Sequence, residues 1–290
     1  MEQTILTKFF LPGSLFIIML GLGLALQIDD FKRIFTYPKA IFIGITNQMV
    51  LLPLVGFGIA SFFNLKPELA VGIMILAACP GGVTSNLFSY LSNGDTALSV
   101  TLTAISSTLS IITIPLIINF GMVQFMHEGQ VIHLPVIKTI IQIMVITIIP
   151  IAIGMLVRSN KPDFAHKMEK AVKVASSIFL FAIIFGVIWN ERERLPNFFK
   201  QVGIAIAALN VITMLIGFYT SKIGRLNLKQ SITIALESGL QNGTLGIVIA
   251  VSILNSAEMS IPSAVYGLLM FVSGGFMVWR FGKSNKVATT

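Results

Sequence analysis

Glu237 is the residue whose position most calls for chemistry. Of the twelve acidic residues in this 290-residue chain it alone lies deep within an apolar segment, "IALESGLQNGTLGI", and no Lys or Arg lies at comparable depth. A bare carboxylate in such surroundings is very costly. It must be protonated, be heavily hydrogen-bonded, or face a cation that the chain does not encode. A neutral Glu bonded to a neighbouring helix would satisfy the cost without any function, but ionisable groups at membrane depth usually mark functional sites.

The residues around it have a counterpart. "ESGLQNGT" follows the same design as "ACPGGVTSN", residues 78–86: helix breakers, then a polar run containing asparagine. Pro80 removes a backbone donor and blocks the carbonyl one turn earlier, while Gly81 and Gly82 let the chain leave helical geometry. The carbonyls and N–H groups so freed must find partners in protein, water, an ion or a substrate. Freed carbonyls suit a hard cation, and the N–H groups opening each second half-helix suit an anion. Ser99 and Thr103 are four apart, as are Glu237 and Gln241, so each pair shares one helix face. Hard oxygen ligands dominate these two runs, which suits a hard cation better than a transition metal. Glycine also serves tight packing in membrane helices. That explains Gly21 and Gly23 well and "CPGGVTSN" poorly.

The elements that must hold these residues are membrane helices. Hydrophobic residues make up 55% of the chain and charged residues only 11%. Apolar stretches of about 20 residues, enough to cross a ~30 Å hydrocarbon core, recur along the whole length. Nine spans are expected, at 9–28, 40–63, 69–91, 97–120, 136–157, 172–189, 202–221, 231–254 and 261–279, in an all-α polytopic protein. The first reads as a retained helix rather than a signal peptide, because it lacks a positive leading region and a small-residue cleavage site. Lys32, Arg33, Lys39, Arg158, Lys161, Lys167, Lys222, Arg225, Lys229, Arg280, Lys283 and Lys286 fall on one side of this arrangement; Lys8, Lys66, Arg192, Arg194 and Lys200 fall on the other. The richer side is cytoplasmic by the positive-inside rule, which puts the amino terminus outside and the carboxyl terminus inside. The tail at 284–290 reads as loose. The net charge of +8 is therefore a matter of topology and not of nucleic-acid binding. Spans one to four match spans six to nine, with five unpaired, which is an inverted five-plus-five repeat lacking its first helix. A Gly/Pro-interrupted span at corresponding places in two halves points to the midplane site of a secondary transporter.

With these motifs in hand, the chain resembles the bile acid:sodium symporter family. The resemblance rests on "CPGG" followed by Ser85 and Asn86, on "ALSVTLTAISS", and on "ESGLQNG", and it extends over essentially the whole chain. Nine helices resemble the vertebrate liver-type arrangement without the first helix. The resemblance implies a panel domain at 1–36 and 134–196 (helices one, five and six) beside a core domain at 37–133 and 197–283, with the two broken helices crossing in the core. It implies two Na+ sites: one from Ser85, Asn86, Ser99, Thr103 and Glu237, the other from Gln48, Glu237 and Gln241 with the carbonyls of Ser238 and Leu240. It further implies an organic anion, such as a bile salt or another carboxylate or sulfated metabolite, held near Val83, Thr84, Asn242, Gly243 and Thr244. Met270 and Phe271, before "VSGG" in the last span, would give that crevice an apolar wall. A bacterial inner membrane is the expected location, and the expected partners are sodium, a small organic anion and the lipid bilayer, with no protein partner evident.

Three rival readings remain at this stage. A proton could replace sodium as the coupling ion. An arsenite-type efflux permease of related fold would use Cys79 as a thiolate, although a lone buried Cys is ordinarily inert. An intramembrane enzyme would need a nucleophile–base pair or a metal, and His127, His133 and His166 all fall in loops or at span edges, far from the breaks. Thr101, Ser106, Thr108 and Ser110 are expected to bond to carbonyls of their own helix. The single cysteine excludes an internal disulfide.

Overall fold

A computed structural model describes residues 10–126, 134–190 and 195–282. Lys8, His127, His133, Arg192, Arg194, Lys283, Lys286 and the tail at 284–290 lie outside the described residues. The described residues are almost entirely helical, with no strand among them. We number the helices α1 (Leu11–Ala25), α2 (Ile28–Lys32), α3 (Pro38–Phe62), α4 (Pro67–Ala78), α5 (Val83–Leu91), α6 (Thr96–Phe125), α7 (Val136–Asn160), α8 (Pro162–Asn190), α9 (Leu195–Ile223), α10 (Leu228–Gly239), α11 (Gly243–Ile253) and α12 (Ile261–Phe281). By length and composition α3, α6, α7, residues 202–223 of α9, and α12 with its leading turn are long and apolar enough to cross a membrane. Proline opens α3, α4 and α8, where its missing N–H is no loss and its fixed φ is already helical.

Both expected breaks are present as interruptions between short helices. The first separates α4 from α5 at Cys79–Gly82, where Cys79 is already extended (ψ 144°). The second separates α10 from α11 at Leu240–Asn242. Other features were not anticipated. The chain leaves α1 at Ala25 and bends by 76° into α2, so the first helix does not run on to Ile28 as a straight span. The bend is fixed by Asp30, whose carboxylate accepts from the Gln27 N–H (2.8 Å) and pairs with Arg33 (3.0 Å), while its carbonyl accepts from Thr101 (3.0 Å). Three stretches widen to π geometry: Asn47–Leu51 in α3, Met144–Ile148 in α7 and Ile249–Ile253 in α11. The first two end two residues before Pro53 and Pro150. Proline withholds the N–H that the ladder requires, and the register slips by one residue to absorb the loss.

Packing divides the helices into neighbourhoods. α1 lies against α7 and α8, and α9 lies against α10 and α12. α4 is held between α3 and α6, and the half-helices α5 and α10 both meet α6. Gly154 allows the tight α1–α7 approach, since a methyl there would stand 2.6 Å from the Leu20 carbonyl oxygen and 2.7 Å from the Gly23 carbonyl carbon. One buried cluster joins α1, α4, α6, α7 and α11 through residues such as Leu15, Ile75, Ile114, Ile143 and Ile247. A second joins α3, α4, α9, α10 and α12 through Leu52, Ile73, Leu209, Leu236 and Tyr266. α4 contributes to both and is buried on every face, which is why its sequence shows no polar stripe.

Candidate functional site

The two breaks meet. Gly81 and Gln241 form an isolated antiparallel bridge, and the Asn242 N–H donates to the Pro80 carbonyl at 2.9 Å. Pro80 and the glycines thus release carbonyls that the opposite break partly satisfies, which meets the requirement for irregular backbone at membrane depth. Each second half-helix is then re-started by its own residues. The Ser85 hydroxyl donates to the Gly82 carbonyl at 2.8 Å. Asn242 Oδ1 accepts from the Leu245 N–H at 3.0 Å and caps α11.

Glu237 lies in the last turn of α10 with its side chain fully buried. Its carboxylate faces neutral groups contributed by two other helices. Ser99 donates to Oε1 (2.6 Å), Thr103 donates to Oε2 (3.0 Å), and Gln48 Nε2 approaches Oε2 at 3.4 Å. Asn86 Oδ1 stands beside the same two hydroxyls, 2.8 Å from Ser99 and 3.0 Å from Thr103. A methyl on Gly81 would lie 2.5 Å from Glu237 Oε2, 3.2 Å from Ser85 Oγ and 3.3 Å from Gln48 Nε2, so these three groups surround one point against the first break. Ser85, Asn86, Ser99, Thr103 and Glu237 therefore sit together. Ser106, Thr108 and Ser110 each donate to a carbonyl of α6 itself, and the single Thr101 proton is shared between the Ala97 and Asp30 carbonyls.

A second group of oxygens lies just below. Gln48 Nε2 donates to the Glu237 carbonyl (2.9 Å), and Gln241 Nε2 donates to the carbonyls of Ser238 (2.9 Å) and Glu237 (3.3 Å). The amide nitrogens thus satisfy the frayed end of α10, and the amide oxygens are left over. Gln48 Oε1 and Gln241 Oε1 are both buried with no hydrogen-bond partner. Leu240 lies in the break itself, buried. The π stretch of α3 carries Gln48, and the adjoining Asn47 ties it to α9 by donating to Thr220 Oγ1 at 2.9 Å.

Val83, Thr84 and Asn86 are only partly buried at the start of α5, whereas Asn242, Gly243 and Thr244 are buried at the start of α11. Met270 and Phe271 are in α12. Met270 is packed in the second core cluster, and the Phe271 ring meets Phe88 edge-on at 5.9 Å. Cys79 is fully buried, with its thiol donating to the Ile75 carbonyl at 3.2 Å. Two residues that sequence reasoning passed over, Asn210 of α9 and Tyr266 of α12, both reach the Gly239 carbonyl, at 2.6 and 2.5 Å. Nothing beyond their being polar in apolar spans signals them.

Residues 12–198 match the family model described as the Sodium Bile acid symporter family. The chain belongs to this family. Among relatives of this symporter family, the chain is 33% identical over 270 residues to the uncharacterized sodium-dependent transporter YocS of Bacillus subtilis, covering 93% of this chain and 82% of the relative. It is 28% identical over 276 residues to the probable sodium/metabolite cotransporter BASS2, chloroplastic, of Oryza sativa, covering 94% of this chain and 64% of that one. It is also 28% identical over 231 residues to the ileal sodium/bile acid cotransporter of Oryctolagus cuniculus, covering 79% of this chain and 65% of the relative. The chain thus spans most of the bacterial transporter and just under two thirds of the rice and rabbit cotransporters.

Proposed function

We propose that the protein is a sodium-coupled secondary active symporter of organic anions. One observation carries this reading: the Glu237 carboxylate is fully buried and meets only neutral groups, the hydroxyls of Ser99 (2.6 Å) and Thr103 (3.0 Å) and the Gln48 amide (3.4 Å), with the Asn86 side chain against the same two hydroxyls. No basic side chain among the described residues pairs with it, so the charge calls for a cation from solution. The partnerless oxygens of Gln48 and Gln241 offer the same chemistry to a second ion. All of these are hard, uncharged or singly charged oxygen donors, as a monovalent hard cation requires.

In this reading sodium is cargo. One ion is held by Ser85, Asn86, Ser99, Thr103 and Glu237, and the other by Gln48, Glu237, Gln241 and the carbonyls of Ser238 and Leu240. Glu237 belongs to both and couples them. The acidic group of the substrate, a bile salt or other carboxylate or sulfated metabolite, meets the amino ends of α5 and α11 around Val83, Thr84, Asn242, Gly243 and Thr244, with Met270 and Phe271 toward its apolar body. The chain crosses a bacterial inner membrane nine times, amino terminus outside, as an inverted repeat lacking its first helix. The core at 37–133 and 197–283 moves against the panel at 1–36 and 134–196. Sodium drives this cycle only because it binds one arrangement more tightly than the other.

Reconstitution into proteoliposomes tests the proposal. An inward sodium gradient should drive uptake of labelled organic anions, bile salts and smaller carboxylates among them. Glu237→Ala should abolish that uptake. Sodium chloride should stabilise the wild-type protein against heat relative to choline chloride, by about 2.7 kcal/mol at a hundredfold excess over Kd. Normal sodium-driven uptake by Glu237→Ala overturns the assignment. The same buried carboxylate also favours a second reading, since a proton would neutralise it as a cation does. Uptake that persists in choline at fixed pH and follows a pH gradient selects it. Cys79→Ser should keep full activity, as a thiol already bonded within its own helix takes no part.

A further inference from the structure

Leu236 keeps its ordinary helical partner, the Leu240 N–H (2.8 Å), and the end of α10 leaves the three carbonyls after it without theirs. Two are met by side chains around Glu237: Glu237 accepts from Gln48 and Gln241, and Ser238 from Gln241. The third, Gly239, is met by a different pair. Its oxygen accepts from Asn210 Nδ2 at 2.6 Å and from the Tyr266 hydroxyl at 2.5 Å, and the two donors lie 3.2 Å apart, closing a triangle. Both lone pairs of that oxygen are filled. Asn210 and Tyr266 are buried to 2% and 0% exposure. They come from α9 and α12, whereas Gln48 and the hydroxyls that meet Glu237 come from α3 and α6.

We infer that Asn210 and Tyr266 are positioning residues for the second ion site, locking the Gly239–Leu240 peptide so that the Leu240 carbonyl and the Gln241 side chain face the ion. A carbonyl with one donor can swing about its peptide plane; one with two donors at these distances cannot, without leaving a buried polar group unpaired. The lock also removes the Gly239 oxygen itself from competition for the cation. Gly239 leaves room beside it for the Met214 side chain of α9, which a methyl there would overlap. The inference rests on the second ion site proposed above, and neither residue touches the ion or the substrate.

The test compares Tyr266→Phe and Asn210→Ala with Val265→Ala, a neighbouring substitution in the same buried cluster that leaves the triangle intact. Two readouts are taken on the full chain in detergent: the sodium concentration giving half-maximal thermal stabilisation, and amide hydrogen exchange across residues 239–243 in choline chloride. Tyr266→Phe should raise the half-maximal sodium concentration about fivefold, the effect of one lost hydrogen bond, and should speed exchange at 239–243 by a similar factor. Asn210→Ala should do both more strongly. Val265→Ala should lower the melting temperature and leave the sodium concentration and the local exchange as in wild type. Unchanged exchange and unchanged sodium dependence in Tyr266→Phe and Asn210→Ala overturn the inference, as does a matching change in Val265→Ala. If the wild-type protein shows no sodium stabilisation, the ion-site reading fails, and the exchange data in choline still decide whether the two residues lock the break.

Discussion

Gly81 shows how little room the carboxylate has. Any side chain there places a carbon 2.5 Å from Glu237 Oε2, against the same break that supplies Ser85. The Gly81→Ala protein should fold, because overpacking by one methyl costs about 1–3 kcal/mol. Its half-maximal sodium concentration for thermal stabilisation should nonetheless rise about tenfold, equivalent to ~1.4 kcal/mol. A sodium dependence equal to wild type would mean that the carboxylate relaxes freely and is not part of a rigid cage. Glu237, Asn86, Ser99 and Thr103 stand out in the sequence because each is a polar exception in an apolar run, and helical spacing puts two pairs of the proposed ligands on common faces. Asn210 and Tyr266 are exceptions too. They lie in separate helices with no interrupted polar run around them, so only the fold connects them to Gly239.

Among the elements, α3 depends on its irregularity. The π stretch Asn47–Leu51 lies just ahead of Pro53 and adds one residue to a turn, which rotates everything before it by about 100° relative to a regular helix. Gln48 lies within that stretch and donates to the Glu237 carbonyl at the end of α10. Pro53→Ala returns the missing donor and lets the ladder close at its ordinary spacing. The variant should melt no lower than wild type in choline and should lose much of its sodium-dependent stabilisation; thermal melts in the two salts check both. Sequence reading locates the breaks at 79–82 and 240–242 well, since proline and glycine act locally and their effect is confined to the residues that contain them. It does not locate the π stretches, because a register slip is a choice the helix makes between equally apolar neighbours. Nor does it find the bend after Ala25, which is fixed by Asp30 reaching across to Arg33, Gln27 and Thr101.

For the whole molecule, the proposed orientation follows from where the basic residues lie, and it can be read chemically because Cys79, the one cysteine, is fully buried. Lys66 and Lys161 are exposed at helix ends that the topology assigns to opposite faces. In right-side-out vesicles an impermeant maleimide should label Lys66→Cys and leave Lys161→Cys and the parent protein unlabelled; the reverse pattern would invert the topology. The bridge between the breaks bears on how such a molecule is made. Pro80 and Asn242 are 242 − 80 = 162 residues apart, yet they share a main-chain hydrogen bond within the apolar interior. During synthesis the first interrupted segment leaves the ribosome long before its partner exists, with carbonyls that lipid cannot serve. Until the second arrives, that nascent hairpin must shelter against water, the insertion machinery or a chaperone. The segment that waits longest for its partner is thus the one that carries Ser85 and Asn86 of the proposed ion site.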